Sequence, residues 1–154
     1  MYSFSMSTAI LDELYPLTEL CRDEGIVLPE YRMIPDYAVP EPFRHLLAHQ
    51  RDMTSVLQEF YGQKVHLENV MKRREEMRMR RKVSLVREDG FPVEFGAIEI
   101  HLEHFSPEAQ LEILACYTPL GAILHQYKVN YTNSVRGFFE MKANRLVTDA
   151  LRIH

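Results

Sequence analysis

One arginine stands out because its place in a predicted strand sets it among apolar residues. Residues 80–100 are predicted to form two β-strands joined by a tight turn at Asp89-Gly90, since both turn residues tolerate a positive φ angle. Arg81 lies two residues before Val83, and alternate residues of a strand share one face. A guanidinium on an apolar face is costly unless an anion meets it. This pattern makes Arg81 the first candidate for a functional residue.

An acidic residue near the end of the sequence has the same character. Residues 145–153 are predicted to form the last strand, in which Asp149 shares its parity with apolar residues such as Val147 and Leu151. Two interpretations are open. Asp149 is either an edge-of-core carboxylate paired with a nearby arginine, or a buried acid that faces one cavity together with Arg81.

A basic segment leads into the strand of Arg81. Its cations are Lys72, Arg73, Arg74, Arg78, Arg80, Arg81 and Lys82, against Glu75 and Glu76. A solvated loop or an exposed strand end is the simplest interpretation for most of them. A nucleic-acid surface is disfavoured, because no aromatic residues interleave for stacking and the net charge of the chain is −4. A third interpretation is an electropositive entrance that attracts a small polyanion.

The composition is that of an ordinary globular domain. The chain has 154 residues, of which 46% are hydrophobic and 26% charged. No apolar run approaches the length that spans a bilayer, and the N-terminal residues lack the basic and apolar regions of a signal peptide. We therefore expect a cytoplasmic protein with no membrane partner.

The cysteine and histidine residues do not predict a disulfide or a metal site. Cys21 and Cys116 lie far apart without a CxxC spacing, which indicates two reduced thiols. His101, Glu103 and His104 are possible metal ligands by residue type. As strand residues, however, the two histidines would point to opposite faces, and no third ligand is evident.

The remaining periodicity predicts an α+β domain with one mainly antiparallel sheet. The predicted helices cover residues 8–24 (interrupted at Pro16), 41–49, 52–62, 106–117 and 118–124. Beside the hairpin, the predicted strands cover residues 64–70, 129–131, 134–142 and 145–153. Residues 26–42 hold four prolines and are predicted to wrap around the body in an extended form. We expect a single domain over residues 1–154, with 1–49 as an N-terminal helical and extended wrap and 50–154 as the core.

Two local features carry further predictions. The strand after the turn changes phase between Phe95 and Ile98, which predicts a β-bulge at Gly96-Ala97. The short helix at residues 118–124 begins with Pro119 and Gly121, so its N-terminal amides could form an anion site. A plain corner between two helices explains the same residues.

The order and spacing of these features resemble the chorismate pyruvate-lyase family from about residue 50 to the end. The matching segments are Asp52-Met53-Thr54, Arg81-Lys82-Val83-Ser84-Leu85, Asp89-Gly90, Phe95-Gly96, Pro119-Leu120-Gly121 and Leu146-Val147-Thr148-Asp149. The resemblance implies one six-stranded antiparallel sheet with helices on one side and a ligand enclosed beneath flaps. The same fold family includes effector-binding domains of transcription regulators.

The resemblance also implies an activity, namely elimination of pyruvate from chorismate to leave 4-hydroxybenzoate without a metal or an organic cofactor. In this family Arg81 would bind the ring carboxylate, and backbone groups of Met53 and Leu120 would contact the ligand. Asp149 takes the place of a glutamate that completes the site and is one methylene shorter. Ala97 stands where members of the family can have an arginine. The alternative is a non-catalytic binding module for an aromatic carboxylate on the same fold.

Overall fold

The computed structural model describes residues 12–154 and shows an α+β fold with two antiparallel sheets. The strands are β1 (Tyr31–Ile34), β2 (Val65–Glu75), β3 (Arg78–Arg87), β4 (Pro92–His101) and β5 (Phe138–Met141). The helices are α1 (Leu17–Glu24), α2 (Phe43–Leu47), α3 (Met53–Tyr61), α4 (Pro107–Ala115), α5 (Leu120–Gln126) and α6 (Arg145–Leu151). Strands β2, β3 and β4 form one sheet in that order, while β1 pairs with β5 in a separate sheet.

The central hairpin forms where the sequence predicts it. Strands β3 and β4 pair in an antiparallel register that sets Arg81 opposite Ile98 and Val83 opposite Gly96. Gly90 in the connecting turn has a φ angle of +84°, a conformation that glycine adopts without strain. The basic segment forms the ends of β2 and β3 and the turn between them. Four of its seven cationic residues are exposed, in agreement with the simplest interpretation of that segment.

The main helices begin at capping residues that the sequence identifies. The Asp52 side chain accepts a hydrogen bond of 2.8 Å from the Ser55 amide at the start of α3, and Ser106 caps α4 in the same way. Helix α1 begins directly after Pro16 and ends at Gly25, whose φ angle is +67°. The first part of the helix predicted over residues 8–24 lies outside the described residues.

The sheet differs from the expected single six-stranded sheet. The described residues form one sheet of three strands and one of two, so that expectation is wrong. Residues 145–151 are helix α6 instead of a final strand, and residues 129–131 are not a strand. A helix is favoured over a strand here because the Asn144 side chain accepts a hydrogen bond from the Val147 amide and caps α6. Leu146 and Ala150 then have the four-residue spacing that places both on one helix face.

Helices cover both faces of the three-stranded sheet, which corrects the expectation of helices on one side. Alternate residues of β3 point to opposite faces. Val83 packs with Leu57 of α3, and Met79 packs with Ile113 of α4; we call this side the α3–α5 face. On the opposite side, the α1–α6 face, Lys82 pairs with Glu24 of α1.

The β-bulge lies three residues before the predicted position. Leu85 pairs with Glu94 but the adjacent Val86 pairs with Pro92, so Val93 is the extra residue of β4. The pairing of Gly96 with Val83 is regular. The prediction of a bulge at Gly96-Ala97 is therefore wrong, since Phe95 and Ile98 lie on opposite faces of a regularly paired strand. The bulge at Val93 instead allows Val93 to pack on the same face as Ile98, although the two residues differ in parity.

Gly121 sets how closely α5 approaches the start of α3. A Cβ atom at this position would overlap the Asp52 carboxylate and come within 2.7 Å of Thr54 Oγ1. Both of these residues are buried. The glycine therefore permits a helix contact that no larger residue allows without a shift.

We expect Gly121→Ala to lower the free energy of unfolding by about 1–3 kcal/mol, because the added methyl group overpacks this contact. Urea denaturation followed by circular dichroism measures the change. Gly137→Ala is the matched control, since a Cβ there meets its nearest neighbour at 3.7 Å, an ordinary contact. Equal stability of the two variants would show that the α3–α5 contact is not tight.

Candidate functional site

Arg81 is the centre of the candidate site because it is a buried cation without an acidic partner. Its residue exposure is 2%, and it is the largest of the fully buried side chains. Its Nη1 atom donates to the Ile113 carbonyl at 3.3 Å and lies 3.8 Å from Cys116 Sγ. Its Nε atom is buried without a hydrogen-bond partner, and no carboxylate of the described residues forms an ion pair with it. Burial lowers the pKa of the guanidinium, with Cys116 opposing that effect.

Three of the four predicted site residues lie on the α3–α5 face. Met53 packs against the core cluster that contains Val83, and Leu120 packs against the cluster that contains Met79. Arg81 lies between Met79 and Val83 along the same face of β3. The sheet thus places Arg81 between the two clusters to which the first residues of α3 and α5 belong.

Asp149 does not join this group. It lies on α6, its side chain is 70% exposed, and its nearest cation is Arg145 at 3.4 Å. Helix α6 packs on the α1–α6 face, where Ser84 Oγ donates to the Ala150 carbonyl at 3.0 Å. Ser84 and Arg81 point to opposite faces of β3. The prediction that Asp149 is buried and shares a cavity with Arg81 is therefore wrong, because a strand parity does not apply to a helix.

Asp149 instead lines a cavity of about 720 Å³ on the α1–α6 face. Lys82 and Phe95 contribute to the floor of this cavity from the sheet, and Leu146 contributes from α6. Lys82 is paired there with Glu24 at 2.5 Å. The cavity therefore has both polar and apolar lining residues, and the charge of Lys82 in its floor is already compensated by Glu24.

The structure adds an acid that the sequence reasoning missed, Glu94 on β4. Glu94 pairs with Leu85, and a Cβ atom on Gly96 would lie 3.3 Å from Glu94 Oε1. Since Gly96 is opposite Val83, the Glu94 carboxyl group lies on the α3–α5 face, as Arg81 does. The sequence pattern indicated the opposite, because the bulge predicted at Gly96-Ala97 would set Glu94 and Ile98 on different faces, whereas the observed pairing between them is regular.

The environment of Glu94 favours the neutral acid. Its Oε2 atom is buried and has no hydrogen-bond partner among the described residues. Burial raises the pKa of Glu94 to about 7, and no charged neighbour contributes to the shift. At neutral pH this group can therefore donate a proton or accept one.

A second polar cluster joins α3 to α5 and the segment that follows. The buried Asp52 carboxylate accepts from His125 Nε2 at 2.9 Å and from the Tyr131 hydroxyl at 3.2 Å. Burial opposes ionisation of Asp52, but these hydrogen bonds and that of the Ser55 amide outweigh it, so the pKa is lowered. The Ser55 hydroxyl also contacts His125 Nε2, at 3.2 Å.

This cluster contains the residue types of a catalytic triad without its geometry. In a triad the serine and the carboxylate bind different nitrogens of the histidine ring. Here Ser55 and Asp52 both contact Nε2 of His125, so the ring cannot relay between them. The cluster therefore holds α3 against α5, and we assign it a structural role.

Metal ligation and membrane crossing find no support in the part of the chain that the structure describes. Within residues 12–154, no three His, Cys, Asp or Glu side chains are grouped to hold a metal ion. No helix in the same range is long and apolar enough to cross a membrane. Cys21 and Cys116 are both free thiols, as the sequence indicates.

The chain matches no protein-family model, no curated protein and no solved structure. The chemistry of the site is therefore inferred from its own residues. These are a buried guanidinium at Arg81 and the half-buried side chain of Glu94, whose Oε2 atom is buried, and both lie on the α3–α5 face of the sheet.

Glu94 predicts a dependence of stability on pH. The folded protein holds the Glu94 proton up to about pH 7, whereas an unfolded glutamate releases it near its ordinary value of 4.5. Stability is therefore lost as the pH rises from about 4.5 to about 7. We expect Glu94→Gln to be more stable than the wild type at pH 8, by up to about 3 kcal/mol, and nearly equal to it at pH 4.5.

Urea denaturation at the two pH values measures this difference. Glu88→Gln is the control, because Glu88 is an exposed carboxylate in the turn of the same hairpin. We expect that variant to follow the wild type at both pH values. If Glu94→Gln also does so, Glu94 is ionised in the folded protein at neutral pH.

Proposed function

We propose that the protein binds chorismate or a closely similar cyclic dicarboxylate at Arg81 and eliminates pyruvate from it to leave 4-hydroxybenzoate. The observation that carries the proposal is the buried Arg81 guanidinium, which has no acidic partner among the described residues. The residues that resemble chorismate pyruvate-lyases support the choice of substrate. The proposal rests on these residues and not on the six-stranded sheet, which is absent from residues 12–154.

A carboxylate is the ligand group that suits Arg81 best. The guanidinium is planar and can donate two parallel hydrogen bonds to the two oxygens of a carboxylate. Its Nε atom is without a partner, and Nη1 makes one long hydrogen bond to a carbonyl. A desolvated charge of this kind is costly, and an anionic ligand removes that cost.

The proposed reaction is an elimination that needs few catalytic groups from the protein. One ring C–H bond and the C–O bond to the enolpyruvyl group break, and the C–H electron pair completes the aromatic ring. The released proton ends on the leaving enolpyruvate, which becomes pyruvate, so no oxidant or water is consumed. Orientation of the ring and one proton carrier are sufficient for such a step.

Met53 and Leu120 are the proposed companions of Arg81. The resemblance implies that their backbone groups contact the ligand, and their packing on the α3–α5 face is compatible with that role. Asp149 receives no role in the site because it lies on the opposite face of the sheet.

The position of Asp149 also favours a second candidate function. A protein that keeps Arg81 but lacks the expected acid beside it could retain an aromatic carboxylate without converting it. The second candidate is therefore a non-catalytic binding module for such a ligand. Both candidates share Arg81, and pyruvate release separates them.

We expect Arg81→Met to abolish pyruvate release from chorismate and to weaken the binding of 4-hydroxybenzoate by about 2–5 kcal/mol. The variant should fold with unchanged or higher stability, because it replaces an unpaired buried charge with an apolar side chain of similar length. A coupled lactate dehydrogenase assay measures pyruvate, and thermal unfolding measures binding and stability.

Lys82→Met is the matched control, since it removes one positive charge from the adjacent residue on the α1–α6 face. It should leave turnover and binding intact. Loss of both in Lys82→Met, with Arg81→Met active, would place the site in the cavity on that face. A wild-type protein that releases no pyruvate but is stabilised by 4-hydroxybenzoate is the binding module.

A further inference from the structure

We infer that Cys116, at the end of α4, is a reactive thiol that hydroperoxides oxidise to a sulfenic acid, and that the buried Arg81 guanidinium activates it. The reactive form of a cysteine is the thiolate, which a neighbouring cation stabilises. The inference goes beyond the proposed function and does not depend on it, because it concerns the protein without a ligand. It also identifies the side chain that can carry the charge opposite to that of Arg81.

The first support is the contact between the two side chains. Arg81 Nη1 lies 3.8 Å from Cys116 Sγ, which is a hydrogen-bond distance to sulfur. Arg81 is 2% exposed, its Nε atom has no hydrogen-bond partner, and no carboxylate in residues 12–154 forms an ion pair with it. Burial lowers the pKa of the guanidinium, and Cys116 is the group that opposes this shift. An uncompensated buried charge is therefore directed at the sulfur of Cys116.

A second cation lies beside Arg81 at the same end of α4. Lys72 of β2 is paired with Arg81 across the sheet, so both side chains lie on the α3–α5 face. Lys72 Nζ donates to the Leu114 carbonyl at 3.0 Å. Arg81 Nη1 donates to the Ile113 carbonyl at 3.3 Å. These contacts offset the partial negative charge at the C-terminal end of a helix, which would otherwise oppose a thiolate at Cys116.

The acidic residue in the last turn of α4 is occupied elsewhere. Glu112 Oε1 accepts from the Thr118 hydroxyl at 3.1 Å, and its Oε2 atom accepts from the Tyr127 hydroxyl at 2.8 Å. Within the described residues, no hydrogen bond or ion pair joins Glu112 to Arg81 or Cys116. The surroundings of the thiol are therefore electropositive, which is the environment typical of reactive cysteines.

Cys116 is also fixed in position and partly exposed. It ends α4 in the left-handed conformation, with a φ angle of +55°, which residues other than glycine seldom adopt. Its amide and its thiol both donate to the Ile113 carbonyl, at 3.2 and 3.4 Å. It is half-buried, so a small solute can approach it. Cys21 provides the contrast, since it is 1% exposed and burial raises its pKa.

Oxidation by a hydroperoxide needs no further reactant. The thiolate sulfur of Cys116 attacks one oxygen of the peroxide, and an S–O bond forms as the O–O bond breaks. The departing alkoxide or hydroxide takes up the proton that the thiol released. The sulfur thereby loses two electrons, and the peroxide is reduced to an alcohol or to water. The oxygen that the sulfur gains can accept a hydrogen bond from Arg81, which favours the product as well.

The test treats the full chain with hydrogen peroxide at pH 7, traps sulfenic acid with dimedone and quantifies each cysteine by mass spectrometry. We expect Cys116 to be labelled about tenfold faster than Cys21. Arg81→Met should slow the labelling of Cys116 about tenfold. Lys82→Met removes a cation from the opposite face and should leave that rate unchanged. Equal labelling of Cys116 in Arg81→Met and in the wild type would refute the inference.

A second measurement needs no variant, and it covers the case in which Arg81→Met does not fold. Iodoacetamide alkylates thiolates, and its rate with each cysteine is compared in the folded protein and in concentrated urea. Unfolding exposes Cys116 but separates it from Arg81. We therefore expect Cys116 to react severalfold faster in the folded protein, and Cys21 to react more slowly there. Slower alkylation of Cys116 in the folded protein would overturn the inference.

The two proposals fail separately, because neither experiment contains a carboxylate ligand. A protein that releases no pyruvate and binds no 4-hydroxybenzoate refutes the proposed function, whereas fast labelling of Cys116 still supports its activation by Arg81. An inert Cys116 refutes the present inference and leaves the ligand site at Arg81 in place.

Discussion

Desolvation of the Arg81 guanidinium is the constraint on which the rest of the site depends. A cation that is 2% exposed, with a carbonyl and a thiol as its contacts, is held in place by the packing around it and not by a countercharge. The two core clusters on either side of Arg81 supply that packing, and they are covered by α3, α4 and α5. An anion that reaches Arg81 gains a strong interaction, because the competing water has already been removed.

The three-stranded sheet acts as a partition between two unlike faces. On the α1–α6 face, Arg80 and Lys82 have acidic partners in α1, namely Glu19 and Glu24, so their charges are compensated. On the α3–α5 face, Arg81 Nε and Glu94 Oε2 have no hydrogen-bond partner among the described residues. Neighbouring residues of one strand thus meet opposite electrostatic conditions, and the buried polar atoms that lack a partner in the described part of β3 and β4 lie on the α3–α5 face.

The cover of the α3–α5 face depends on a tight contact between two helices. Asp52 caps α3 and at the same time accepts hydrogen bonds from His125 and Tyr131, which lie on α5 and in the segment after it. Gly121 allows α5 to approach this carboxylate. Packing and capping alone therefore explain two of the residues that the family resemblance singled out, Asp52 and Gly121.

The sequence by itself determined the local features: the hairpin at Asp89-Gly90, the helix caps at Asp52 and Ser106, and the burial of Arg81. Each follows from turn chemistry, capping or strand parity, which act over a few residues. Only the tertiary structure decided which distant groups meet. Asp149 lies away from Arg81 because residues 145–151 form a helix on the other face of the sheet. Glu94 lies on the same face as Arg81 because the register of β3 and β4, with its bulge at Val93, pairs Glu94 with Leu85. Such choices depend on long-range contacts, for which neighbouring residues in the sequence carry no signal.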